Sequence, residues 1–239
     1  MSTLAIALRE WRSMFRLPVG WVVVALFLLL TGIVFAYETL VPGAPASLRN
    51  FFSLSGFLLM IVAPAISMRL LSEEYRMGTW EVLSTLPVRE RSIVIGKYAG
   101  ACLFLISMFL PTLAYVAILA NVADPAPDPG PILAGYLALA LLGLFYLAIG
   151  LCCSALTSNQ TLAFLATLMT IFAIHMASAR LPALLPEPAA SIVRELGLAP
   201  RAADFARGVV DLAHIAYFLA GSAWFVLAAY FAVLARRWR

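Results

Sequence analysis

The sequence predicts an all-α polytopic membrane protein of six transmembrane helices, and three observations carry that prediction. Apolar residues make up 64% of the chain and charged residues 12%, about half the charged share of an ordinary soluble domain. The uncharged runs 17–37, 50–68, 98–123, 129–179 and 212–235 are long enough for helices to cross a hydrocarbon core of ~30 Å, which takes roughly twenty residues each. Strand-like alternation is absent from those runs, so a closed β-barrel, the other backbone solution in lipid, is not expected.

In chain order, the N-terminus reads as an amphipathic helix lying in the headgroup layer. Leu4, Leu8, Trp11 and Phe15 recur at helical spacing, with Arg9, Arg12 and Arg16 opposite. Trp11, Phe15 and the three arginines are thus expected to anchor the chain to the membrane surface, 1–17 forming the interfacial helix. Pro18 breaks that helix before the first span. Spans are expected at 18–37, 51–68, 94–120, 131–153, 162–179 and 213–235. The first run exceeds a signal-peptide core of ~7–15 residues and is expected to remain in the protein. The 51-residue fourth run holds two spans, divided at the polar stretch Ser154–Thr161. Asn121–Pro131, with four prolines, reads as a non-helical hairpin turn. In 180–212 the prolines at 182, 186 and 188 break the chain before a helix over Ala190–Leu196, and another helix starts after Pro200. Pro64 and Pro111 read as static kinks within spans. Gly96 and Gly100 form a G-x-x-x-G that admits a close helix neighbour. No separate soluble domain is expected, so 1–239 is read as one membrane domain.

Basic residues set the orientation. With both termini inside, the inner segments hold eleven bases (Arg9, Arg12, Arg16, Arg69, Arg76, Arg89, Arg91, Lys97, Arg236, Arg237, Arg239) and five acids. The outer segments hold the remaining five bases and seven acids, and +6 with −2 gives the net +4. The basic balance is therefore a topology signal; no basic stripe or nucleic-acid motif accompanies it, and no nucleic-acid partner is expected. Cys102, Cys152 and Cys153 lie inside spans without metal or redox spacing and read as packing residues.

Chemistry inside the bilayer has few candidates. His175 is a possible intramembrane polar site; with no Asp or Glu at its depth, a neutral imidazole bonded to a serine or a carbonyl is expected. An intramembrane serine protease would need G-x-S-G, but residue 53 is serine in Ser53-Leu54-Ser55-Gly56, and no His-Glu-x-x-His offers a metal site. Neither catalytic nor metal-binding residues are expected. Lys97 is the only lysine, and no G-x-x-x-x-G-K-[ST] is present, so this chain is not expected to bind or hydrolyse ATP.

The charge is concentrated between the second and third spans. Residues 69–97 hold four of the twelve acids and five of the sixteen bases. Arg69–Met77 reads as a helix in which Glu73 pairs with Arg76 and the leucines face the membrane. Gly78 is the left-handed residue that ends it, and Thr79 the N-cap of a second short helix, Trp80–Leu86, stopped by Pro87. A merely solvated loop has no use for Trp80, Val82, Leu83 and Leu86 among its charges, which favours docking of a soluble partner.

The run Arg69-x-x-x-Glu73-Glu74-x-Arg76-x-Gly78-Thr79-x-Glu81-x-Leu83-x-x-x-Pro87 resembles the motif after the second span of ABC-2-type transporter permeases. Asp204-Phe205-Ala206-Arg207-Gly208-Val209-Val210-Asp211-Leu212 resembles the F-x-x-G-V-I-D run before the last span in short permeases of the gliding-motility and nitrous-oxide-reductase-maturation types. Trp80 departs from the aliphatic residue more usual there. The resemblance implies a permease that forms a homodimer or heterodimer in a prokaryotic inner membrane, both termini cytoplasmic. Two separate ATP-binding subunits, which carry ATP and Mg, would dock beneath it. On that resemblance 69–93 forms the cytoplasmic coupling hairpin, with Arg69, Glu73, Glu74, Arg76, Gly78, Thr79, Trp80, Glu81, Leu83 and Pro87 at the ATPase interface. Thr157, Ser158, Asn159 and Gln160 form a smaller second contact. The implied function is export of a substrate. The alternatives are a mechanical transducer acting on periplasmic or surface proteins through 180–211, and an intramembrane protease.

Overall fold

The computed structural model describes residues 3–41, 46–80, 89–187, 189–190, 197–198, 201, 204–205 and 208–236. The described residues are helical, with no strand among them. The chain runs through α1 (Thr3–Arg16), α2 (Pro18–Val34, prolonged by a π-turn Phe35–Thr39), α3 (Arg49–Ser67) and α4 (Ser72–Met77). It continues through α5 (Glu90–Phe109), a 3₁₀ turn Leu110–Thr112, α6 (Leu113–Val122), α7 (Pro129–Leu156), α8 (Gln160–Arg180) and α9 (Leu212–Arg236). Among the described residues, six helices are long and apolar enough to cross a membrane, α5 and α6 counting as one around the 3₁₀ turn.

Local chemistry explains the breaks. Leu17 is extended (φ −96°, ψ 139°) as a residue before proline must be, and Pro18 starts α2 at the position where no N–H is needed. Pro111 falls in the 3₁₀ turn, and the Thr112 hydroxyl donates to Phe109 O at 2.7 Å and meets Tyr136 Oη at 2.9 Å. Pro64 lies inside α3, which continues to Ser67. The proline-rich stretch 121–131 differs from expectation. α6 runs to Val122 and α7 already begins at Pro129, because Pro129 and Pro131 occupy its first turn, where proline is tolerated. Asp128 caps that helix by accepting from Gly130 N at 2.9 Å.

The core is built around α7. Of its most apolar stretch 72% is buried, against 18% for α8 and 22% for α9. α3, α5, α8 and α9 all pack on α7. Gly150 brings α3 and α7 together so closely that a Cβ there would lie 1.8 Å from Ser67 Oγ.

The N-terminal helix has a seat within the protein. α1 lies along α5, and its buried residues are Ile6 and Ala7, whereas Leu4 and Leu8 are exposed. The seat is the Gly96/Gly100 pair: a Cβ at 96 would lie 2.8 Å from Ile6 Cβ, and one at 100 would lie 2.6 Å from Glu10 Cβ. Trp11 is half-buried and donates to Ser107 Oγ at 2.9 Å, and Phe15 packs on Phe104 with ring centroids 4.9 Å apart. Trp11 and Phe15 thus both make protein contacts, while Arg12 and Arg16 remain exposed.

Before the last span, Phe205 is fully buried beside the His214 ring, and Gly208 adopts φ +84° against Pro131. Asp211 accepts from Ala213 N at 2.8 Å and starts α9. The helix expected over 190–196 lies, apart from Ala190, outside the described residues, as do Pro188 and Pro200.

Candidate functional site

The charged segment after α3 gathers at one end of the bundle, where α1, α4, the start of α5, the α7–α8 turn and the end of α9 meet. We call it the basic end. Arg69–Leu71 form a turn, and the helix proper covers only Ser72–Met77. Glu73 pairs with Arg69, not with Arg76 as the i,i+3 spacing suggested. The guanidinium Nε and Nη2 donate to its two carboxylate oxygens, each at 2.9 Å. This bidentate i,i+4 pair holds the turn to the helix. Leu70 and Leu71 are fully buried and tie the segment to the core.

Ser154 of α7, fully buried, fixes the start of α4. Its Oγ accepts from Leu71 N and Ser72 N, both at 3.0 Å, and donates to Met68 O at 3.2 Å. A hydroxyl from another helix thus satisfies two of the otherwise unpaired amides of a helix start.

Glu74 turns inward onto a buried cation. Lys97 of α5 is 2% exposed, and its Nζ lies 2.9 Å from Glu74 Oε1 and 3.1 Å from Glu10 Oε2 of α1. Arg9 Nη2 approaches the same Glu74 oxygen at 3.7 Å. Glu74 Oε2 is buried without a hydrogen-bond partner among the described residues. Three elements therefore share one ammonium, in a setting where removing one partner of a buried ion pair costs about 3–5 kcal/mol.

The far end of α4 is free. Arg76, Met77, Gly78 and Thr79 are exposed, Gly78 turns the chain in the left-handed region (φ +68°), and none of the described residues lies within 4 Å of where its Cβ would stand. Only a residue without a side chain adopts that turn without strain. The Thr79 hydroxyl points back and donates to Glu74 O at 3.4 Å. Trp80 is half-buried and packs edge-on against Tyr75, 5.3 Å between centroids. Glu81, Leu83 and Pro87, with Val82 and Leu86, lie outside the described residues.

The second expected contact stands beside the first. α7 ends at Leu156 and Asn159 caps α8, accepting from Thr161 N at 2.9 Å and Leu162 N at 3.4 Å; Ser158 and Asn159 are exposed, Thr157 and Gln160 half-buried. Arg236 links the two corners: it donates to Leu156 O at 2.8 Å and lies over the Tyr75 ring at 4.2 Å. His175 is elsewhere, along α8. Its Nδ1 is buried with no hydrogen-bond partner among the described residues, and Ser178 bonds only its backbone carbonyl. The serine or carbonyl partner expected for the imidazole is not found at that nitrogen.

Sequence reasoning missed Glu10, Lys97, Ser154 and Arg236. Two carried a signal: Lys97 is the sole lysine and lies inside the Gly96/Gly100 pair, and Glu10 is the one acid in an arginine-rich helix.

Six apolar helices among the described residues, α7 the most buried of them, with charge collected on one end, define a multi-pass helical membrane protein. A family model described as ABC-2 family transporter protein matches residues 4–193, and the chain belongs to that family. It is thus a membrane permease component of an ABC transporter, a family that implies partnership with an ABC ATP-binding subunit. No curated protein matches the chain.

Proposed function

We propose that this chain exports a substrate across a prokaryotic inner membrane, driven by ATP hydrolysis in a separate subunit that grips residues 69–87 from the cytoplasm. The observation that carries the reading is the two-sided character of α4. One side is fixed to the bundle through Ser154 and Lys97, while Arg76, Met77, Gly78 and Thr79 are presented outward at the basic end. Basic residues concentrate on the cytoplasmic side of membrane proteins, which puts this end and both termini inside. The Thr157–Gln160 turn, bridged to α4 through Arg236, serves as the smaller second contact. ATP and Mg belong to the partner.

A second permease copy or paralogue completes the transporter. The lightly buried α8 supports this, since Leu162, Leu165, Met169, Phe172 and Met176 are exposed at alternating three- and four-residue spacing, the pattern of a helix-pairing seam.

The test is co-purification of a tagged chain with its ATP-binding subunit. Met77→Asp, Glu81→Lys and Leu83→Asp are each expected to reduce the recovered subunit at least tenfold while the permease keeps its thermal stability. Undiminished recovery with all three variants would remove the assignment.

A further inference from the structure

The geometry at the basic end separates a pivot from an arm. Ser154 holds the first turn of α4 by two backbone amides, and Glu74 sits further along the same short helix. The exposed corner Arg76–Thr79 lies beyond both. A push on that corner turns α4 about its Ser154 end, and Glu74 moves with the arm.

What Glu74 holds is buried. Lys97 is 2% exposed, and the Glu74 side chain 14%. Drawing the two apart would take from that carboxylate its one buried cation, when one of its oxygens already lacks a hydrogen-bond partner among the described residues. In a poorly screened interior such a separation is far costlier than for an exposed pair. Arg9, at 3.7 Å and with its side chain 47% exposed, would be the weaker, better-hydrated cation left on that carboxylate. Lys97 belongs to α5, the first part of the third span, and it also holds Glu10 of α1, which is seated on Gly96 and Gly100 of that helix.

We propose that Lys97 is the positioning residue that transmits movement of α4 into the third span, with α1 carried along as a splint on α5. Glu74 is the transmitting partner and Glu10 the splint's fastening. The proposal rests on the reading of 69–87 as the grip for an ATP-binding subunit and adds the route by which that grip moves the bundle.

The two carboxylates on one lysine make the test. The full permease–ATPase complex, with Cys102, Cys152 and Cys153 replaced, carries nitroxides on Ile95→Cys of α5 and Leu156→Cys of α7, both exposed positions. Their separation is measured in phosphatidylethanolamine/phosphatidylglycerol nanodiscs, without nucleotide and with MgADP and vanadate. The parent complex is expected to shift by on the order of 2 Å or more. Glu10→Gln should keep that shift, since the Lys97–Glu74 pair remains. Glu74→Gln should lose most of it, although Lys97 still has Glu10 and the fold survives. A shift in Glu74→Gln equal to that of the parent, an equal loss in both variants, or no shift in the parent overturns the proposal. Failure of the underlying reading looks different: no ATP-binding subunit is present in the parent complex, and no nucleotide is trapped at all.

Discussion

The basic end and the outward face of α8 are built on opposite terms. At the basic end, polar groups are buried or half-buried and paired: Lys97 with Glu10 and Glu74, Ser154 with two amides, the half-buried Arg69 with Glu73. Along α8, large apolar side chains are outside; Thr167, fully buried, is bonded to its own helix, and the buried His175 Nδ1 has no hydrogen-bond partner among the described residues. The first arrangement fixes how helices sit relative to one another, because each directed bond has one good geometry. The second fixes nothing beyond the helix itself, because an apolar face is equally satisfied by lipid or by another apolar helix. The contrast is what motivates the proposals of transmission for the first region and assembly for the second.

The contrast is broken most forcefully at Lys97. Lys97→Met leaves Glu10 and Glu74 buried without their cation, an expected loss of about 3–5 kcal/mol, read as a lower unfolding midpoint in detergent. A variant as stable as the parent would show that the cluster is hydrated and holds nothing. Ser154→Ala strands two buried amides and should cost about 1–3 kcal/mol, with faster hydrogen exchange confined to Leu71 and Ser72. Gly100→Val forces α1 away from α5, since its Cβ would meet Ala7 O at 2.8 Å as well as Glu10. Overpacking of this kind costs about 1–3 kcal/mol, and protease cleavage after Arg12 should accelerate. On α8, Leu165→Ala and Phe172→Ala should change the stability of the isolated chain by less than about 0.5 kcal/mol, while lowering the fraction of paired permeases on native gels. A large stability loss there would mean the face is packed within one chain.

The bundle was legible from the sequence because span length and charge are one-dimensional properties: a 20-residue apolar run reads the same in any tertiary setting. The glycine end of α4 was legible too, since the left-handed turn at Gly78 is a local requirement. What could not be read were the partners of side chains distant along the chain. Glu10 and Lys97 are 87 residues apart, and Leu71 and Ser154 are 83 apart. Periodicity gave α1 an apolar face but not the neighbour that would cover it. The seat that Gly96 and Gly100 provide for it was therefore not read. Glu73 shows the same limit at short range: i,i+3 and i,i+4 partners were both present, and the bidentate fit to Arg69 decided between them.

The central claim is that the free corner of α4 is where an ATP-binding subunit takes hold. A photo-reactive benzoylphenylalanine at Met77, exposed at the basic end, should form an adduct with that subunit on irradiation of intact membranes. The same residue at Val122, equally exposed but at the opposite end, should form none. An adduct from Val122 and none from Met77 would contradict the account.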